Sequence, residues 1–283
     1  MTCRHWLLAT FLFGLIGCSS PPSRPTGVVD ASQVPALWSG VREASAILLG
    51  ELHDDPAHPP LQLALARTLV QQGHWVALVL EMAEQGRSTQ GLARDADEAT
   101  VQTALAWSHS AWPWARYGPV VMAAVAAGVP VLGGNLPRQA MRQVMADPTW
   151  DQRLPAPELA QIRQLIRLGH CGLLPEPQIP AMARIQVARD RAMADTLAQA
   201  WRPGGTVLLL AGNEHVRTDL GVPWHLGQMA QAWPPGAGAV RAIELRPEPA
   251  TDRPAPTETW RTPAQPARDH CAALRSQLRQ SAP

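Results

Sequence analysis

Residues 47–58 read ILLGELHDDPAH. The run from Ala46 to Leu49 is aliphatic without a break, and an unbroken apolar run of strand length is the mark of a strand buried on both faces of a parallel sheet. Gly50, Glu51, His53, Asp54, Asp55 and His58 follow at once, which places acids and imidazoles where the strand ends.

The same design recurs along the chain. Trp75 to Leu80, Val129 to Leu132, Thr206 to Leu210 and Ala239 to Leu245 are further short apolar runs, and Glu258 to Arg261 is a shorter β-like stretch. Helical periodicity fills the early intervals at Pro60 to Gln72 and at Gly118 to Ala127, the latter closed by Gly128. Strands alternating with helices predict an α/β fold with a mostly parallel sheet flanked by helices. From 137 to 204 strand signals vanish, and PELAQIRQLIRLG and AMARIQVARDRAMADTLAQAW carry apolar residues at helical spacing, which predicts an inserted helical lobe. The α/β body then comprises 36–136 and 205–262, with a tail over 263–283 that ends in a helix from Ala267 to Arg279.

In a parallel sheet the carboxyl ends share one edge, where open α/β sheets bind ligands. Glu51 and His53, Glu81, Gly133-Gly134-Asn135, and Gly212-Asn213-Glu214-His215 converge there. Two of these clusters read Gly-x-x-His, with a glycine expected to turn the chain off the strand so that His53 and His215 face the crevice. His58, just before Pro59 and Pro60, reads as a surface histidine.

Composition excludes one class of partner. The formal net charge is +1 over 283 residues, so the basic excess of a nucleic-acid binder is missing. No lysine occurs, which removes Schiff-base chemistry. The N-terminus, MTCRHWLLATFLFGLIGCSS, has Arg4 followed by an apolar stretch too short to span a bilayer. Residues 1–17 read as a signal peptide, and Leu15-Ile16-Gly17-Cys18 resembles a bacterial lipobox, with lipid on Cys18 and Ser19 favouring the outer membrane, facing the periplasm. A plain signal peptide with an incidental Cys18 is the simpler alternative. Residues 18–35, rich in Ser and Pro, form a tether. Cys171 and Cys271 then remain as an even pair in an oxidising compartment, read as one disulfide, with free buried thiols as the other option.

ILLGELHDDPAHPPLQ, VLEM, WPWARYGPVVMAAVAAGVPVLGGNLPR, GHCGLLPEP, QVARDRAMA and LLLAGNEHVRTDLGVPWHL lie in order over most of residues 45 to 230. On these blocks the chain resembles the ChaN family of bacterial haem-binding lipoproteins, within a wider group that includes the Tiki and TraB proteins and the erythromycin esterases. The resemblance implies haem between two subunits of a haem-dependent homodimer, a role in iron uptake and an outer-membrane haem receptor as a possible partner. It also implies that Tyr117, the chain's single tyrosine, holds the haem iron, phenolate being a known axial ligand. A tyrosine at a helix start also simply packs its ring on the core. His53, His215, His170 and Arg138 are further candidates for the haem pocket, and Arg189 and Asp190 stand out in their block. The rival is a metal-dependent hydrolase with a divalent metal on His53, Glu81 and His215, and Glu51 or Glu81 as general base. The structural alternative for these groups is a hydrogen-bonded network that pins the loops at the sheet edge.

Overall fold

The computed structural model describes residues 27–37, 44–229, 233, 238–249, 258–266 and 269–280. The signal peptide, Cys18 and the first half of the tether, to residue 26, lie outside the described residues.

The strands are β1 (Ala44–Glu51), β2 (Trp75–Glu84), β3 (Val131–Asn135), β4 (Thr206–Gly212), β5 (Ala239–Pro247) and β6 (Glu258–Thr262). They form one parallel sheet in the order β3-β2-β4-β1-β5-β6. Every residue of β1 and β4 is buried, as their aliphatic runs require. Alternate residues point to opposite faces. Ile47, Leu49, Leu78, Leu80, Leu208 and Leu210 meet α2 (His58–Gln72) and α4 (Trp114–Ala127) on one face. On the other, Ala46, Leu48, Val79, Val207 and Leu209 meet α7 (Ile179–Ala200) and α8 (Val222–Gly227). Each fully buried aliphatic side chain contributes roughly 1.5–3 kcal/mol of transfer free energy. Gly73 and Gly128 close α2 and α4 with φ of 71° and 77°, a left-handed conformation that glycine adopts without a Cβ penalty.

Between 137 and 204 the chain forms α5 (Arg138–Ala146), α6 (Ala156–Gly169) and α7. The first half of α7 packs against α5 and α6, through residues such as Ala183, Ile185 and Val187. Its second half lies on the sheet through Met193, Ala194 and Leu197. The lobe therefore grows out of a helix rooted on the α/β body. No helix among the described residues is long and apolar enough to cross a membrane.

Both ends of the described chain are fastened. Val28 bridges Arg261 on β6 in parallel, and the Val29 amide donates to the Arg261 carbonyl at 2.7 Å. Cys171, after α6, is joined by a disulfide to Cys271 in α9 (His270–Gln280).

The topology makes one crevice. Strand β4 lies between β1 and β2, and the chain leaves β1 and β2 toward α2 and α4 but leaves β4 toward α8 on the opposite face. Such divergence opens the carboxyl edge of an α/β sheet.

Candidate functional site

The polar residues at the ends of β1, β2 and β4 occupy that crevice and form an alternating row of carboxylates and imidazoles. Asp190 Oδ1 lies 2.5 Å from His215 Nδ1, and His215 Nε2 lies 3.3 Å from Glu81 Oε1. The other oxygen of Glu81, Oε2, accepts from the Gly212 amide at 2.7 Å and lies 3.7 Å from His53 Nε2. His53 Nδ1 is 2.8 Å from Glu51 Oε1.

Glu51 is held from several sides. Tyr117 Oη donates to Oε1 at 2.5 Å, Gln62 Nε2 donates to Oε2 at 2.6 Å, and Arg116 Nη2 stands 3.5 Å from Oε2. Three carboxylates thus face two imidazoles and one guanidinium, which balances if both imidazoles are protonated. Burial of this many charges is tolerable only when each is paired.

The pairing decides the protonation. Burial disfavours charge on His215, but Glu81 and Asp190 outweigh it and raise its pKa well above the usual histidine range. His53 is raised for the same reasons, with burial opposed by Glu51 and Glu81. Burial also works against ionised Glu81, yet His215, His53 and the Gly212 amide hold it far below the ordinary carboxylate range. Glu51 is lowered against its burial by His53, Tyr117 and Arg116. Asp190 is raised, chiefly by burial.

The two Gly-x-x-His glycines serve space and not turning. Neither Gly50 nor Gly212 has a positive φ; Gly212 sits at φ −63°. A Cβ on Gly212 would lie 2.9 Å from His53 Nε2, and one on Gly50 would lie 2.5 Å from Asn213 Oδ1. Bare backbone lets the strand ends and side chains close on one another.

His58 departs from its surface reading. It is fully buried, with its Nδ1 accepting from the Leu52 amide at 3.0 Å and its Nε2 3.2 Å from Asp55. The imidazole closes the turn after β1 from inside, and burial lowers its pKa.

Tyr117 also lies inside. It is 0% exposed, its hydroxyl is engaged by Glu51, and burial followed by Glu51 raises its pKa. Its hydroxyl is turned to Glu51 and not to open space. His170 is apart from the row: its Nδ1 is 2.8 Å from the Ile166 carbonyl, and it lines a separate small cavity of about 180 Å³ on the Asp190 side.

The metal reading of His53, Glu81 and His215 meets a different obstacle. The three do converge, but both nitrogens of His215 lie against carboxylates, while His53 Nε2 makes only a 3.7 Å contact, and no group of three or more such side chains among the described residues has a metal-holding arrangement.

In front of His53 opens a cleft of about 570 Å³, a size typical of small-molecule sites. The His53 side chain is 37% exposed and lines this cleft together with Glu81. Leu105, Trp112, Leu136 and Met141 supply apolar walls, and Arg87, Arg138 and Arg189 line it with positive charge. Arg138 is a lining residue whose side chain is 71% exposed and loosely paired with Glu84 at 3.9 Å. Two buried polar atoms in the lining, Arg189 Nε and Asn135 Oδ1, have no hydrogen-bond partner among the described residues.

A family model described as haem-binding uptake, Tiki superfamily, ChaN matches residues 37–226. The chain belongs to the ChaN family. Among solved structures, ChaN of Campylobacter jejuni, described with cofacial haem binding, is similar at 24% identity and a TM-score of 0.59, over 76% of this chain and 84% of that one. A mutant of the erythromycin esterase EreC in its open conformation aligns at 16% identity and a TM-score of 0.43, over 77% of this chain and 74% of the other. A Bacillus cereus protein aligns at 14% identity and a TM-score of 0.39, covering 79% and 72%. No match is found among curated proteins.

Sequence reasoning missed Gln62, Arg116, Gln186 and Arg87. Gln186 places Nε2 3.1 Å from His215 Nδ1 and stands four residues before Asp190 on α7, and that spacing puts both on one helix face. Gln62 is likewise four residues after His58 on α2. For Arg87 the sequence carries no signal.

Proposed function

We propose that this ChaN-family chain binds haem in the cleft in front of His53. The observation that carries the reading is the make-up of that cleft: apolar walls at Leu105, Trp112, Leu136 and Met141, arginines in its lining, and one buried donor and one buried acceptor without partners among the described residues. A flat apolar macrocycle with two carboxylates matches those features, since guanidinium groups pair with carboxylates in bidentate geometry. Arg189 and Arg138 would hold the carboxylates, with Arg87 beside them.

His53 would hold the haem iron in this reading, through Nε2 once that nitrogen has given up its proton. Its Nδ1 bond to Glu51 at 2.8 Å fixes the ring, while Nε2 makes the longer contact, 3.7 Å, with Glu81. A carboxylate behind an imidazole is the usual way a metal-binding histidine is oriented and made more basic. Haem supplies the iron chemistry; the protein orients the imidazole and shields it from bulk water.

The cellular setting extends the same proposal. The lipobox-like Cys18 supports a lipid anchor in the cell envelope, facing the periplasm at the outer membrane, and the family description supports haem or iron uptake. A haem-dependent homodimer and an outer-membrane receptor as delivery partner follow from the resemblance. Cys18→Ser should release the protein from the membrane fraction; continued membrane association would remove the anchor.

The test of the central reading is haemin titration of residues 21–283. A Soret shift in the wild type that is lost in His53→Ala and retained in Tyr117→Phe is expected. Loss in Tyr117→Phe with retention in His53→Ala would move the ligand to the phenol.

A further inference from the structure

The small cavity beside His170 shares no lining residue with the cleft in front of His53. Ile162, Leu165 and Ile166 of α6 and Leu220, which follows β4, form its walls, and Ile162 and Leu220 belong to the buried core of the lobe. Its charged lining is acidic: Asp190 and Glu214 contribute carboxylates, and no arginine among the described residues lines it, whereas three arginines line the cleft. Asp190 is buried and gives Oδ1 to His215, and Glu214 Oε2 lies 3.7 Å from Arg217 Nη1. His170 Nδ1 is 2.8 Å from the Ile166 carbonyl; a carbonyl only accepts, so Nδ1 carries the hydrogen and Nε2 of the neutral ring is left an acceptor. The Gln186 amide is turned to His215 at 3.1 Å. The rim is pinned from outside the lobe, because Cys171 is joined to Cys271 and His270 Nε2 lies 3.0 Å from the Gly169 carbonyl.

We propose that this cavity binds a small organic cation, a primary ammonium carried on an apolar body the size of a benzene ring. The site lies beyond the haem reading and does not depend on it. Its volume of about 180 Å³ suits such a body, since an apolar cavity of about 150 Å³ holds benzene. The ring would be taken from water against Ile162, Leu165, Ile166 and Leu220. An ammonium brings three donors and no acceptor, which answers a lining of carboxylates and an imidazole lone pair, and hydrogen bonds between ionised partners are roughly twice as strong as neutral ones. An anion would meet Asp190 and Glu214 with like charge. The pinned rim lowers the ordering cost of binding, as preformed sites do.

Calorimetric titration of the full chain, in detergent and without haem, tests the site with three probes that share one ring: benzylammonium, benzyl alcohol and benzoate. Benzylammonium should bind about tenfold or more tightly than benzyl alcohol, the scale of one hydrogen bond between charged groups, and benzoate should not bind. Glu214→Gln, a change at a part-exposed side chain, should weaken benzylammonium several-fold and leave benzyl alcohol unchanged. Ile166→Trp, which fills the cavity, should abolish binding of both; Leu165→Phe replaces it if circular dichroism shows that variant unfolded. In NMR spectra benzylammonium should move the His170 ring resonances and leave those of His53 in place. Failure of benzylammonium to bind, equal affinity for benzyl alcohol, undiminished binding in a folded cavity-filled variant, or shifts at His53 in place of His170 would each overturn the site.

Discussion

The amide of Gly212 at the end of β4 donates to Oε2 of Glu81 on β2 at 2.7 Å. This bond clamps two neighbouring strand ends and leaves the remaining oxygen of Glu81 to His215. A Cβ at residue 212 would leave Glu81 Oε2 at an ordinary 3.6 Å but would crowd His53 Nε2 at 2.9 Å.

Gly212→Ala should therefore push His53 out of register with Glu81. Overpacking of this kind costs about 1–3 kcal/mol. Urea denaturation should show that loss, and the His53 ring resonances should shift while those of His225 do not. Unchanged His53 resonances would contradict the close approach.

Glu81→Gln keeps the shape of the side chain and leaves His215 and His53 with one carboxylate fewer. Breaking a buried pair from one side costs about 3–5 kcal/mol. The pKa of Glu81 is depressed in the fold, so its contribution is present above the ordinary value of 4.5 and is lost as pH falls through the lower, folded value. The gap in unfolding free energy between variant and wild type should be widest near neutral pH and narrow in acid.

Tyr117→Phe removes one donor from buried Glu51. Leaving a buried acceptor with less than its full set of partners costs about 1–3 kcal/mol. The variant should be measurably less stable to urea; a neutral result would mean that Gln62 and Arg116 suffice for Glu51.

His225 is a separate acid-sensitive point. Burial, reinforced by Arg191 and Arg153, lowers its pKa from 6.5 to about 4, so between those values the unfolded chain binds more protons than the folded one. The contribution of this group should be flat above pH 6.5 and fall by about 3 kcal/mol as pH drops toward 4. His225→Leu should remove that slope, as read by melting temperatures across the pH range; an identical slope would assign it elsewhere.

The Cys171–Cys271 bond spans a sequence separation of 100 residues, a loop for which chain entropy alone predicts about 4–5 kcal/mol. Cys171→Ser should lower stability by a few kcal/mol on that scale, and Cys271 should then react with a thiol label. Labelling of both cysteines in the native protein would show the bond to be absent.

The strands were legible because burial on both faces leaves unbroken aliphatic runs, as at Ile47 to Leu49 and Thr206 to Leu210. Their ends were less so. The third run was expected over Val129 to Leu132, whereas β3 is Val131–Asn135. Gly133 belongs to the strand because it passes so close to β2 that a Cβ would strike the Glu84 carbonyl at 1.9 Å. The convergence of Glu51, His53, Glu81 and His215 followed from parallel topology alone. Their partners did not, because Arg116 and Gln186 reach the row from α4 and α7, and no local pattern states how a helix is rotated on a sheet. Tyr117 shows the same limit: the block that contains it suggested a ligand, but only packing shows that its hydroxyl faces Glu51.

The bridge from Val28 and the Val29 amide to Arg261 covers part of the outer edge of β6, the last strand of the sheet. An unpaired strand edge is a template on which another chain can add, so the protein's own first described residues occupy ground that a second copy would otherwise be free to pair with.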